Sequence, residues 1–248
     1  LVANIQQCEG QGSSDVKETK RSVYSFCMCP GGQIMPTSMD EKHICVNGMS
    51  FSKRSSKWAN SALVVTVHPN DEAVKEIARN LLPPSSSKET TSTLDGILFQ
   101  EEMESRASMA GGGDLVVPVQ RVTDYLREQS IPPGEVLPES SYKLGVKAAR
   151  LDLLYPPSIT AALQEALRLF DKRMPGFVCD DALLHGVETR TSAPVTIPRH
   201  GHYGDDTSAP MECVGIRGLW PAGEGAGHAG GIVSAAVDGF QIGRAWRD

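Results

Sequence analysis

No apolar run in this 248-residue chain approaches the ~20 residues that a membrane-spanning helix needs, so a soluble protein is expected. Basic tracts are also missing: 24 Lys and Arg stand against 30 Asp and Glu, and aromatic residues make up only 6%. With a net charge of −6 and no RNP-like aromatic motif, nucleic acid is a poor candidate partner. The first residues carry neither the basic nor the apolar region of a secretory signal, and Leu1 stands where an initiator Met would. A piece of a longer protein is therefore expected. Gly-x-Ser-x-Gly, His-Glu-x-x-His and P-loop patterns do not occur, which leaves those chemistries without a signature. The six cysteines follow no disulfide-framework rhythm and no Asn-x-Ser/Thr sequon occurs. Free thiols in a plastid or the cytosol are the expectation.

What is present reads as mixed α and β. Residues 24–29 alternate large and small side chains, predicting a strand that stops at Pro30-Gly31-Gly32, and 33–35 resume extended character. Residues 43–46 and 49–51 read as two short strands joined by a tight turn at Asn47-Gly48, so 22–52 are expected to form a small antiparallel sheet. The β-branched run 61–67 suits a buried strand. Asn70 predicts a helix cap, followed by Val74, Ile77, Ala78 and Leu81 on one face. After a Pro/Ser linker at 83–92, Asp95 predicts a second cap, with Phe99, Met103 and Ala107 four apart and Gly111-Gly112-Gly113 at the end. A short helix is expected around Val119, Val122, Tyr125 and Leu126, irregular chain over 140–155, and a helix over 159–170 capped by Ser158.

Residues 218–239 carry the strongest ligand signal. An apolar run, Leu219-Trp220-Pro221-Ala222, enters a turn of small residues at 223–231, and a run with helical spacing follows. Strand, glycine turn and helix bring bare backbone N–H groups against a ligand at a helix N-terminus. On that reading Glu224 hydrogen-bonds a ribose or ribityl hydroxyl, and the N–H groups of Gly231 and Ile232 face an electron-rich ligand edge. The other reading is a structural turn that lets the helix pack closely. Residues 219–222 are expected beside 195–197, with the helix packed on that sheet. Cys27-Met28-Cys29 has three readings: a redox pair needing a lowered thiol pKa, half a metal site, or two small buried side chains. His200-Gly201-His202 resembles a metal fragment in a loop, and His228 is read as a tolerant position rather than a base.

Residues 219–239 resemble the C-terminal FAD-binding signature of the FAD-dependent, or NAD(FAD)-utilising, dehydrogenases. Three further stretches resemble the same family: Phe26-Cys-Met-Cys-Pro-Gly-Gly-Gln33 with Asn47-Gly-Met-Ser50, then 141–146, then 186–192. Residues 54–60, Arg-Ser-Ser-Lys-Trp-Ala-Asn, resemble its plant and algal branch, which implies a plastid. The resemblance implies an α/β protein, a partial FAD/NAD(P)-binding Rossmann-like domain with an α+β substrate-side insertion. The divisions implied are a flexible lead-in (1–20), a strand-rich segment (21–67), a mainly helical substrate-side region (68–185) and the C-terminal part of the FAD domain (186–248). It implies an oxidoreductase with FAD as cofactor, a small-molecule substrate and a possible role for NAD(P)H. The cofactor residues implied are Gly223, Glu224, Gly225, Gly227, Gly230, Gly231 and Ile232, with Arg190, Thr191 and Ser192 approaching the flavin from the preceding strand. Arg190 stabilises the reduced ring or holds an anion on this reading; paired with Glu188 in a loop, it does neither. The family's first Gly-x-Gly-x-x-Gly turn has no counterpart here, so the chain resembles the C-terminal part of such an enzyme. A non-catalytic module without FAD, or a thiol redox protein using Cys27 and Cys29, are the rival readings.

Overall fold

The computed structural model describes residues 2–5, 21–68, 70–81, 94–132, 134–201 and 210–247. The linker expected at 83–92, most of the lead-in and His202 lie outside these. Three small sheets share one apolar core. In the first, β5 (Ala59–Val67) runs between β1 (Val2–Ile5), to which it is parallel, and the antiparallel β2 (Val23–Pro30). The apolar run at its centre explains the position, since Leu63, Val64, Val65 and Val67 are all buried. A register shift between Phe26 and Cys29 puts a bulge in β2, with Cys27 at φ 49°. The strict i, i+2 alternation expected of Cys27 and Cys29 is therefore broken.

The second sheet is the hairpin of β3 (Gly32–Pro36) and β4 (Val46–Ser50). Here the Asn47-Gly48 expectation fails: these residues lie inside β4, and Gly48 pairs with Ile34. Gly48 serves close approach rather than a turn. A Cβ added to it would come within 1.9 Å of Asn60 Oδ1. The chain reverses instead over 37–45, where Ser38 Oγ accepts the Cys45 N–H at 2.8 Å.

The third sheet places β6 (Val117–Arg121) between β7 (Val146–Ala148), parallel, and β8 (Leu183–His185), antiparallel. Val117 to Gln120 are buried on both faces, which is why Val119 lies on a strand rather than the expected helix. The helix begins only at α3 (Val122–Arg127). Earlier in the chain, Asp71 rather than Asn70 caps α1 (Glu72–Leu81), accepting the Ala73 N–H at 3.2 Å. The next helix, α2 (Asp95–Gly111), buries Phe99, Met103 and Ala107 as expected and ends where Gly112 turns left-handed at φ 94°. It packs on both α1 and β6. Then α4 (Pro157–Arg173) starts with a proline in its first turn, so Ser158 lies inside the helix and does not cap it. Its buried Ile159, Leu163 and Leu167 face β2 and β5.

The fold is thus mixed α and β, built on small sheets. Parallel pairing among the described residues is limited to β1 with β5 and β6 with β7, so no Rossmann-like parallel sheet is seen there. No strand forms at 195–197 or 219–222. Instead the Ile197 N–H donates to the Ala226 carbonyl at 3.0 Å, and the Cys213 N–H to Leu219 at 2.7 Å. The closing helix α5 (Ile232–Arg247) leaves Ile232, Phe240 and Trp246 exposed at 88, 66 and 70%. It is tied down through Asp238, which accepts from both Arg199 nitrogens and from the Gly223 N–H. No described helix is long and apolar enough to cross a membrane.

Candidate functional site

Two neighbouring features form the site: the glycine turn with the 188–192 segment, and a cavity beside that segment. In the turn, Gly223 and Gly227 are required by the chain itself. Both have positive φ (67° and 79°), and a Cβ on Gly227 would come within 2.4 Å of the Val195 carbonyl oxygen. Gly225 is different, because a Cβ there would meet nothing within 4 Å among the described residues. Gly230 would meet only Ser192 Cβ and the Thr191 carbonyl oxygen, each at 4.0 Å. Glu224 and Ile232 are exposed, and partial burial raises the Glu224 carboxyl above its ordinary pKa. The Gly231 N–H expected to face a ligand donates to Ser234 Oγ at 3.1 Å. The His228 ring donates to the Ile197 carbonyl, a structural bond. Just before the turn, the buried indole N–H of Trp220 has no partner among the described residues.

Arg190 is held by Glu104 on α2, not by Glu188. Its Nε and a terminal nitrogen donate to the two Glu104 oxygens at 2.8 and 2.6 Å, and Thr189 Oγ1 donates to the same carboxylate at 2.5 Å. Glu104 is 1% exposed, so this bidentate pair locks the 188–192 segment to α2. Thr191 is buried beside the Glu188 carboxyl, near enough to lower its pKa yet outside ordinary hydrogen-bond geometry, and Ser192 is half-buried next to Gly230. The structure therefore brings Thr191 and Ser192 against the glycine turn and directs Arg190 into an ion pair with α2.

The cavity, about 430 Å³, opens between the three sheets. At one wall His185, the last residue of β8, accepts the Ser140 hydroxyl proton at Nε2 (2.7 Å) and donates from Nδ1 to the Leu183 carbonyl at 3.2 Å. Burial pushes its pKa down to about 4, so the imidazole is neutral and too weak a base to activate the serine. Burial acts oppositely on Glu188, pushing its carboxyl up to about 7. Asn60 is the third polar group. Both atoms of its amide are buried without a hydrogen-bond partner among the described residues. None of these three groups was among the sequence-derived site residues. The one sequence cue for two of them is a His and a Glu flanking an otherwise apolar buried strand end.

Cys27 is exposed, and burial, Cys29 and Glu188 together raise its thiol pKa. That is the reverse of what a thiolate nucleophile needs. Among the described residues no group of three or more His, Cys, Asp or Glu has the geometry to hold a metal ion.

Residues 11–191 match the family described as FAD-dependent protein, C-terminal domain-like. An uncharacterized protein of the bacterium Clostridium beijerinckii (strain ATCC 51743 / NCIMB 8052) is 42% identical over 227 residues, 91% of this chain and 38% of that protein. The chain thus spans well under half the length of this relative, which is bacterial, not plant or algal. The glycine turn lies beyond the matched region, whereas Thr191 is its last residue. With nearly three quarters of its length matched, the chain belongs to the FAD-dependent protein, C-terminal domain-like family.

Proposed function

We propose that this chain forms the flavin-ring and substrate side of an FAD-dependent oxidoreductase whose remaining nucleotide-binding part, Rossmann-like, belongs to a longer protein. One observation carries the reading. Within the turn the chain itself requires Gly223 and Gly227 and leaves Gly225 and Gly230 open, and Gly230 lies beside Thr191 and Ser192. Glycine where neither backbone nor neighbour demands it suits close approach of a flat ligand. The Thr191 hydroxyl, buried beside Glu188, and the buried Trp220 indole N–H, without a partner among the described residues, are donors of the kind that a ring edge with acceptors takes. FAD, when bound, supplies hydride or electron transfer at its ring.

This chain's own residues orient the ring and exclude water. Glu224 is the proposed partner of a ribityl hydroxyl, and Gly231 and Ile232 flank the ring after Ser234 releases the Gly231 N–H. Arg190 acts at a distance, its charge offset by Glu104. NAD(P)H is the proposed electron donor, and plastid residence is proposed on residues 54–60 alone. The test is FAD titration, followed by flavin fluorescence, of the chain and of the longer relative. Binding by the relative that is lost on replacing the residue equivalent to Gly230 by Leu, with melting temperature unchanged, is the expected result. A relative that purifies colourless and takes up no FAD refutes the proposal and favours a non-catalytic module.

A further inference from the structure

The cavity between the sheets holds an ionisable group that the flavin reading leaves without a task. Glu188 lines it while being only 6% exposed. Its oxygens, unlike the Asn60 amide, are not sealed from the cavity. No Lys or Arg acts on this carboxyl: burial raises its pKa, and only the positive amino terminus of the chain and the Thr191 hydroxyl draw it part of the way back. The other groups that face it carry no net charge near neutral pH. His185 is neutral and bonded to Ser140, the Cys27 thiol is held above its ordinary pKa, and the Arg190 guanidinium is turned to Glu104. At the mouth the charges balance. Lys57 is paired with Glu139, Lys57 and Lys143 lie 4.9 and 5.3 Å from the centre of the Trp58 ring, and Asp181 supplies a second carboxylate. The charge that forms inside, among the described lining residues, is thus negative, and it forms against a desolvation penalty that a cation beside it would offset.

We propose that this cavity is a substrate pocket for a protonated amine with a flat apolar body, whose ammonium N–H groups donate to the Glu188 carboxylate while the body lies among Ile34, Leu63 and Phe177. Its volume of about 430 Å³ accommodates a ring with a short side chain. An anion would be repelled by Glu188, and a neutral molecule would leave the carboxylate buried and unpaired. An ammonium supplies both the opposite charge and charge-assisted hydrogen bonds. The word substrate rests on the flavoprotein reading, since Glu188 also sits beside Thr191 and so joins the cavity to the glycine turn. Binding in the pocket does not require a flavin, so the two fail separately.

Three probes that share a ring and differ in charge test this: benzylamine (cation), benzyl alcohol (neutral) and phenylacetate (anion). Ligand-observed saturation-transfer NMR on the chain, without flavin, reads their binding. Benzylamine is expected to bind about tenfold or more tightly than either other probe near pH 7.5. Glu188 must ionise to pair with it, so amine affinity should rise as pH climbs from about 5 to 8. For the same reason each amine bound at pH 7 should release about half a proton, read by calorimetry in buffers of differing ionisation enthalpy. Glu188→Gln is expected to remove both the preference and the proton release. Should the variant fail to fold, proton release from the unaltered chain still decides. Equal binding of the three probes, absence of benzylamine binding, or a preference for phenylacetate set by Lys143 overturns the proposal. So does an amine preference that persists in Glu188→Gln or comes without proton release, which would place the cation at Glu139 or Asp181. Displacement of benzylamine by riboflavin overturns it too, giving the cavity to the cofactor.

Discussion

Replacing Glu188 by Gln removes a carboxyl that the fold holds about half protonated near pH 7. Its pKa rises from the ordinary 4.5 to about 7 because burial penalises the charged form. A carboxyl raised in the folded state leaves stability intact at low pH and withdraws it as pH climbs from about 4.5 through 7. At 1.36 kcal/mol per pH unit, that span is worth at most about 3.4 kcal/mol. Glu188→Gln lacks the penalty, so relative to the parent the variant gains up to about 3 kcal/mol between pH 4.5 and 8, then levels off. Groups facing Glu188 set the background. Cys27 is uncharged in this range, and Thr191 does not titrate. His185, lowered to about 4 from its ordinary 6.5, has the opposite sign: stability present above 6.5 is lost as pH falls toward 4. Because parent and variant share His185, the difference between them isolates Glu188. Urea denaturation at half-unit pH steps measures it, with the m-value held constant. A flat difference from pH 5 to 8 refutes the reasoning, for it means that the carboxyl ionises as it does in water and the cavity wall is wet.

Three further outcomes follow from the same contacts. Arg190→Met strands Glu104 and is expected to cost about 3–5 kcal/mol in urea denaturation, with much of that loss recovered in the Arg190→Met, Glu104→Met double variant; simple additivity would mean no coupling. Gly227→Ala places a methyl on the Val195 carbonyl and a side chain at φ 79°, with an expected loss of about 3 kcal/mol, whereas Gly225→Ala costs under about 1 kcal/mol by thermal melting. Asp238→Ala releases Arg199 and the Gly223 N–H, so hydrogen exchange at 223–238 should accelerate at least tenfold while α2 and α4 keep their protection.

The elements legible in the sequence are those whose signal is local. The Phe99, Met103, Ala107 spacing and the β-branched run of β5 state their faces directly. Asn47-Gly48 carries an equally clear local signal and misleads. Its glycine answers to Asn60, twelve residues on, rather than to the backbone's need for positive φ. Val119 misleads because a doubly buried strand and a helix face share the same short apolar run. Glu104 gives no sign of its role, since its partner Arg190 stands 86 residues away and only the packing of α2 against the 188–192 segment joins them. His185 and Asn60 are hidden for the same reason.

Gly32, Asn60 and Gly48 interlock sterically, two absent side chains making room for one amide. Such a triad constrains how the sequence can drift. A larger residue at Gly48 is tolerated only after Asn60 has shrunk, and a shrunken Asn60 opens a void that rewards a larger residue there. Gly32 is held as glycine independently, because the Met49 carbonyl oxygen lies 2.6 Å from where a Cβ would sit. Changes at 48 and 60 are therefore epistatic, each path between two working versions passing through a cavity or a clash, and variation among relatives should couple these two positions while 32 stays glycine.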